Sequence, residues 1–250
     1  MRSSKLLDQI ESEAMSGDVV KALRLCLSLG GRTGSTGLRD WASKELSGYS
    51  PEDLPDYRRI YAPLQVDGAV FGGYVKGETI APFALPEFAR DFVSEEVPLW
   101  QSIPALVDLA ASAAKKDEPV RLSPSGSADL VFLMNSQPDQ TNRIERLYWA
   151  VSPIAVTEVV DRVRSILVGL VAEMRSGMDQ GEPLPSPEVA TQAVNVVING
   201  HGNRVTMRRS AVVSTSGEEP KSRTRRFVEL VAWVVTIGGG VLLAVQVVVD

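Results

Sequence analysis

Residues 152–177 read SPIAVTEVVDRVRSILVGLVAEMRSG. Ser152 is a suitable helix N-cap, Pro153 suits the first helical position, and Gly177 follows the last residue of the pattern. Apolar residues recur at the spacing of one helix face, with charged residues opposite, which predicts a long amphipathic helix. We expect its apolar stripe to pack within its own domain, with an oligomer contact as the alternative. The stripe comprises Val156, Val159, Val160, Val163, Ile166, Leu167, Leu170, Val171 and Met174.

Three shorter helices are predicted before residue 50. The first lies within the opening 16 residues, where apolar side chains recur every three or four positions. Ser16 or Asp18 can cap the second helix, and Gly30-Gly31 is expected to end it. The third begins near Thr36 and ends before Gly48. Three amphipathic helices of this length can bury one another's apolar faces.

A small antiparallel sheet is predicted after these helices. Residues 57–83 are rich in β-branched and aromatic side chains, and Asp67-Gly68 and Lys76-Gly77 have the composition of hairpin turns. Helical patterns return at residues 86–93 and 101–114. The predicted fold class is therefore α+β and mainly helical, with residues 1–177 as the globular domain.

The chain changes character after that domain. Residues 178–192 are rich in Pro, Gln and Glu, which is typical of a linker. Residues 193–209 combine β-branched side chains with a Gly-His-Gly turn, which predicts a short hairpin or β-arch. Identical copies of such a segment can stack with asparagine ladders, although an edge hairpin on its own domain is equally compatible. The predicted assembly residues are Asn195, Asn199, Gly200, Gly202 and Asn203.

A predicted membrane segment follows a basic polar linker at residues 210–226. From residue 227 to 249 only Glu229, Thr236 and Gln246 have polar side chains, and a helix of that length crosses the roughly 30 Å hydrocarbon core. Basic residues precede this run and none follows it, which predicts a single-pass, tail-anchored protein with a cytoplasmic N-terminal domain. A buried helix or strand is the alternative. The predicted membrane-contact residues are Arg225, Arg226, Phe227, Trp233, Gly238, Gly239 and Gly240.

Composition argues against several classes of site. The formal net charge is −5 and the chain has one cysteine and one histidine, so neither a disulfide framework nor a zinc site is expected, and no cofactor is predicted. Cys26 lies in an apolar run typical of a core, and His201 sits between two glycines outside the predicted domain. No basic block lies outside the residues before the membrane segment, so nucleic acid is not an expected partner.

One weak ligand-binding candidate remains, and catalytic residues stay unassigned. Arg143, Glu145 and Arg146 precede the aromatic residues Tyr148 and Trp149, a combination that can bind a nucleotide signal. An ordinary set of salt bridges on a helix surface is the alternative interpretation.

Two stretches in the first third of the chain carry a family resemblance. Residues 38–49 read LRDWASKELSGY and residues 54–58 read LPDYR, and this pattern resembles the AbiTii family of bacterial abortive-infection proteins. Further similarity lies at residues 97–103 and 144–149, so that the resemblance spans roughly residues 3–175. It implies a role in defence against phage but supplies no catalytic residues. Trp41, Leu46 and Tyr49 are interpreted as packing residues.

Three functions follow from the anchor and the resemblance together. The first is an effector at the bacterial inner membrane that self-assembles into a homo-oligomer, perturbs the lipid, and responds to a defence-system partner or a phage-derived trigger. The second is a tail-anchored hydrolase or nucleotide-processing toxin. The third is a regulatory module that restrains a neighbouring toxin.

Overall fold

The long helix predicted at residues 152–177 is the central element of the structure. A computed structural model describes residues 4–90, 93–136, 142–179 and 181–200. The helix α7, Pro153–Gly177, begins at Ser152, whose side chain accepts a hydrogen bond from the Ile154 amide at 3.2 Å. All nine residues of the predicted apolar stripe are buried within the same chain. The stripe is therefore a core face, as expected.

Three N-terminal helices pack beside α7: α1 (Lys5–Ser16), α2 (Val19–Thr33) and α3 (Thr36–Ser47). The prediction that α2 ends at Gly30-Gly31 is wrong, because the helix continues to Thr33 and ends at Gly34. A Cβ atom on Gly30 would lie 2.8 Å from the Arg39 amide nitrogen, so this glycine allows α2 and α3 to approach closely. Its role is packing rather than helix termination.

Two arginines of α7 fasten α1 to the long helix. Arg164 donates hydrogen bonds to the carbonyl oxygens of Glu13, Ala14 and Gly17 at distances of 3.1–3.3 Å. These carbonyls lie at the end of α1, where the helix dipole favours a cation. Arg175 forms ion pairs of 2.7 Å with both Asp8 and Glu11.

The strands are β1 (Arg59–Tyr61), β2 (Leu64–Val70), β3 (Gly73–Thr79), β4 (Glu96–Pro98), β5 (Val120–Leu122) and β6 (Arg143–Val151). The main sheet has four antiparallel strands in the order β3-β2-β6-β5. Its core face carries Leu64, Val66, Leu147, Trp149 and Val151, all buried. A separate pair joins β1 to β4. Between the strands lie α4 (Glu87–Arg90), α5 (Ile103–Lys116) and α6 (Ser127–Asn135). The predicted class, a mainly helical α+β fold with a small antiparallel sheet, is confirmed.

Both predicted hairpin turns are wrong. Asp67-Gly68 and Lys76-Gly77 lie within β2 and β3, where the pairing register shifts between Val66 and Gly68. The actual turn between the two strands lies at residues 71–72. The interpretation of residues 143–146 as a helix surface is likewise wrong, because they belong to β6. Alternation along a strand explains their mixture of charged and apolar residues.

Helical residues occupy the end of the predicted linker at 178–192 and the start of the predicted β segment at 193–209. The helix α8, Pro187–Val194, is followed by a π-helical turn at Asn195–Asn199, so Asn195, Asn199 and Gly200 lie on helical backbone rather than in a hairpin. Burial of Ala190, Ala193, Val194 and Val197 against α3 and α7 outweighs the β propensity of this stretch. These residues are part of the same compact unit as α7.

The remaining predictions for the C-terminal part lie outside the described residues. They concern Gly202 and Asn203 of the assembly segment, the linker at 210–226, and the membrane segment at 227–249 with its flanking Arg225 and Arg226. Among the helices that the structure describes, none is both long enough and apolar enough to cross a membrane.

The cap of α8 provides a test of its place in the domain. Ser186 accepts a hydrogen bond from the Val189 amide at 3.3 Å, which satisfies one donor of the first helical turn. Replacing Ser186 by alanine should lower the free energy of unfolding by about 1 kcal/mol. The matched control is Ser165→Ala, because Ser165 lies exposed within α7 and bonds only the preceding turn, at Asp161. Equal urea midpoints for the two variants would contradict the assignment of α8 to the folded domain.

Candidate functional site

A buried polar cluster joins the two halves of the pattern at residues 38–58. This motif cluster consists of Trp41, Glu45, Tyr49, Tyr57 and Arg58. Glu45 and Arg58 are fully buried and form an ion pair. The hydroxyls of Tyr49 and Tyr57 donate to Glu45 Oε1 at 2.6 and 2.5 Å, and the Trp41 indole donates to the Tyr57 hydroxyl at 3.0 Å. Three residues, Tyr49, Tyr57 and Arg58, therefore satisfy the buried carboxylate of Glu45.

The motif cluster also binds the stretch at residues 97–103. Arg58 Nη1 donates to the carbonyl oxygen of Gln101 at 2.8 Å, and the Leu99 amide donates to the Arg58 carbonyl at 2.9 Å. Burial and the charge of Glu45 raise the pKa of both Tyr49 and Tyr57, so their hydroxyls stay protonated as donors. The geometry is that of a structural junction. Trp41 and Tyr49 pack as expected, while the ion pair that they enclose was not predicted.

A second polar cluster lies on the sheet face opposite the core. This sheet-face cluster consists of Asp67, Arg121, Arg146 and Tyr148. Asp67 is fully buried, and its Oδ1 atom accepts hydrogen bonds from the Tyr148 hydroxyl at 2.7 Å and the Gly77 amide at 2.8 Å. Its Oδ2 atom lies 3.3 Å from Arg146 Nη2 and 3.9 Å from Arg121 Nη1. One carboxylate thus holds two guanidinium groups.

Strand pairing alone brings these residues together. Asp67 pairs with Arg146 across β2 and β6, while Arg121 of β5 pairs with Ala150 of β6. Because alternate strand residues share a face, Arg146 and Tyr148 point away from the core that Leu147 and Trp149 fill. The Arg121 guanidinium carbon lies over the Tyr148 ring, 5.2 Å from its centroid.

The carboxyl group of Asp67 stays ionised at neutral pH. Burial acts to raise its pKa, but the hydrogen bonds from Tyr148 and Gly77 and the charges of Arg146 and Arg121 together lower the pKa below its usual value. Burial and the bond to Asp67 raise the pKa of Tyr148 to about 12. The cluster therefore holds a fixed negative charge beneath two positive charges.

Two polar atoms of this cluster have unmet hydrogen-bonding capacity. Within the described residues, Asp67 Oδ2 accepts no hydrogen bond and Arg121 Nε donates none, although both atoms are buried. Buried polar groups are normally paired. The Arg146 side chain is 59% exposed, so solvent or a ligand can reach it.

A comparison with protein-family models decides the family. The AbiTii model matches residues 5–199, about four-fifths of the chain. The chain belongs to the AbiTii family. Comparisons with curated proteins and with solved structures gave no match. Membership points to abortive-infection defence against phage, as the resemblance implied, and the matched span reaches the end of the π-helical turn after α8.

The structure places only one of the three predicted ligand-binding residues of the AbiTii domain in the sheet-face cluster. Arg143 lies exposed at the start of β6 and pairs with Ala69, and Glu145 accepts a hydrogen bond from the Tyr74 hydroxyl at 3.1 Å. Only Arg146 belongs to the sheet-face cluster. Sequence reasoning missed Asp67 and Arg121, since their proximity depends on strand pairing that no local pattern reveals.

Neither the cysteine nor a group of metal-ligating side chains gives a second candidate site within the described residues. Cys26 is buried in the helical core, and burial raises the pKa of its thiol to about 12, which makes it inert at neutral pH. No group of three or more His, Cys, Asp or Glu side chains in the described ranges is arranged to hold a metal ion.

The bond between Tyr148 and Asp67 should contribute measurably to stability. Replacing Tyr148 by phenylalanine removes a donor from a buried, charged acceptor, which should lower the free energy of unfolding by about 1.5–3 kcal/mol at pH 7. Tyr74→Phe is the matched control, because Tyr74 is about half exposed and its partner Glu145 is exposed. We expect that change to cost less than about 0.5 kcal/mol in urea unfolding.

The penalty in Tyr148→Phe should depend on pH. Asp67 has a lower pKa in the folded protein than the value of about 3.9 expected when unfolded, so its stabilisation is complete above that value. It is lost as the pH falls through the folded-state pKa, because protonation then favours the unfolded chain. The stability difference between the wild type and Tyr148→Phe should therefore shrink in acid. A constant difference from pH 7 down to about pH 3 would contradict this account of Asp67.

Proposed function

We propose that this AbiTii protein is a membrane-anchored effector of abortive infection. In this proposal the AbiTii domain lies in the cytoplasm of a bacterium and detects infection. The apolar segment at residues 227–249 anchors the chain in the inner membrane and damages it on activation. The observation that carries the proposal is the apolar run itself, preceded by Lys221, Arg223, Arg225 and Arg226.

Self-assembly is the proposed switch. Bringing several chains together raises the local concentration of their membrane helices. The small residues Gly238, Gly239 and Gly240 would let helix backbones approach closely within the lipid. Since residues 193–200 are helical and packed on the AbiTii domain, the proposal places assembly in the membrane segment rather than in a stack of β segments. The trigger would be a phage product or a partner of the defence system.

The experiment compares phage challenge of cells that carry the intact chain with cells that carry a version stopped after Thr224. Membrane potential is followed with a fluorescent dye during infection. The proposal expects the intact chain to depolarise the membrane and protect the culture, and it expects the shortened chain to do neither. Protection by the shortened chain would refute it.

A third strain distinguishes an active membrane segment from a passive tether. Residues 227–249 are replaced by an unrelated single-pass helix of equal length without the glycine triplet. Under the proposal, membrane association survives in this strain while depolarisation and protection are lost. Full protection with the foreign helix would instead favour an enzyme that merely needs to sit at the membrane.

A further inference from the structure

The sheet-face cluster has more positive charge than its own carboxylates neutralise. Lys76 of β3 lies 3.7 Å from Glu118, which precedes β5 at the other edge of the sheet. Within the described residues, Arg121 and Arg146 share one carboxylate as their ion-pair partner, that of Asp67. Glu145, the residue before Arg146, accepts a hydrogen bond from the Tyr74 hydroxyl.

The two arginines are fixed before any ligand arrives. Arg121 is held over the Tyr148 ring, and both guanidinium groups lie within 4 Å of Asp67 Oδ2. Each guanidinium has five N–H donors. Asp67 Oδ2, at 3.3 and 3.9 Å, accepts a hydrogen bond from neither guanidinium, and the buried Arg121 Nε has no acceptor among the described residues. Pre-positioned donors lose little conformational entropy on binding an anion.

We infer that the sheet-face cluster binds the phosphate group of a small molecule. A planar carboxylate matches one guanidinium through two parallel bonds. A tetrahedral phosphate presents oxygen atoms in several directions, which suits two guanidinium groups that converge from the neighbouring strands β5 and β6. Lys76 can supply a third cation by exchanging Glu118 for the ligand, because both side chains are about half exposed.

Asp67 acts in this site as a positioning residue. Its Oδ1 atom is saturated by Tyr148 and Gly77, so its role is to hold the arginines rather than to contact phosphate. The neutralisation that it provides also limits the repulsion between Arg121 and Arg146 in the empty site. The inference rests on the proposed function in one respect only, namely that the bound phosphate compound would be the trigger of the effector.

Calorimetric titration of the full-length protein in detergent with pyrophosphate, at constant ionic strength, tests the site. We expect saturable binding that Arg146→Gln weakens at least tenfold. Arg143→Gln is the matched control, because Arg143 lies three residues away on the same strand, is exposed and is outside the cluster. Equal affinities for these two variants, or no saturable binding to the wild type, would overturn the inference.

Chemical protection of the wild type gives a second result that does not depend on a variant. Phenylglyoxal modifies exposed arginines, and peptide mass spectrometry reports the rate at each position. Bound pyrophosphate should slow modification of Arg146 severalfold while leaving Arg143 unaffected. Equal slowing at both positions, or no slowing at either, would contradict the site.

The outcomes for the phosphate site and for the membrane effector are separable. If the purified wild-type protein binds no pyrophosphate while the wild-type strain still depolarises its membrane on infection, the phosphate site is refuted and the effector proposal stands. Protection by the chain stopped after Thr224 removes the effector and leaves the binding result standing.

Discussion

Replacing Arg58 by methionine should lower the free energy of unfolding by about 3–5 kcal/mol, because it leaves the Glu45 carboxylate buried without its cation. The adjacent residue gives the matched control. Arg59 also forms an ion pair, at 3.1 Å with Glu96, but their side chains are 37% and 39% exposed. Arg59→Met should therefore cost less than about 1 kcal/mol.

The contrast between Arg58 and Arg59 arises from solvation rather than from pairing. Both arginines have carboxylate partners, yet only Arg58 and Glu45 have no access to water. In Arg58→Met, the hydroxyls of Tyr49 and Tyr57 remain as donors to Glu45, but they do not replace a full positive charge. Urea unfolding of both single variants gives the comparison. Equal losses would mean that burial of the pair has no energetic consequence.

A double variant tests whether the loss comes from the orphaned charge. Glu45→Gln combined with Arg58→Met removes both charges and keeps an amide oxygen that can accept from Tyr49 and Tyr57. Removing a buried pair together is often neutral, so the double variant should recover at least half of the loss seen in Arg58→Met. Additive losses would show instead that Arg58 acts through its bonds to the backbone of residues 99–101.

Local patterns predicted the helical part of the fold well. The α7 stripe repeats with helical periodicity over 25 residues between a capping serine and a terminal glycine, so one signal specifies the element. The β prediction for residues 194–198 is wrong. Their β-branched side chains favour a strand, but burial against α7 stabilises a helix. Burial of an apolar helix face against another helix therefore outweighs the intrinsic β propensity of its residues.

The sequence alone identified only some residues of the sheet-face cluster. Asp67-Gly68 and Lys76-Gly77 have turn composition, and both occur instead at a register shift that lets the Gly77 amide reach Asp67. Arg146 was identified because aromatic residues follow it. Arg121 had no local signal, since its place beside Asp67 depends on pairing between strands that are separated by α6 and other residues.

Gly48 is the second position where we expect a substitution to cause a large loss of stability. It has φ +100° and ψ 171°, a conformation that residues with a side chain rarely adopt, and a Cβ atom there would lie 2.7 Å from the Trp100 carbonyl oxygen. Conformational strain of about 1–3 kcal/mol and the backbone collision together predict a loss of about 3 kcal/mol or more for Gly48→Ala. Gly34→Ala is the matched control, with φ +73° and no atom within 4 Å. It should cost about 1 kcal/mol in urea unfolding.

The loss of stability in Gly48→Ala should include a contribution from the motif cluster. The amide of Tyr49 donates to the same Trp100 carbonyl at 2.9 Å, so displacing that carbonyl also displaces the residue that bonds Glu45. Gly48→Ala and Tyr49→Phe should then be less than additive, because each disturbs the same bond to the buried carboxylate. Gly34→Ala and Tyr49→Phe should add, since Gly34 lies outside this network. Additivity in both pairs would mean that the junction at residues 97–103 and the Glu45–Arg58 pair are energetically independent.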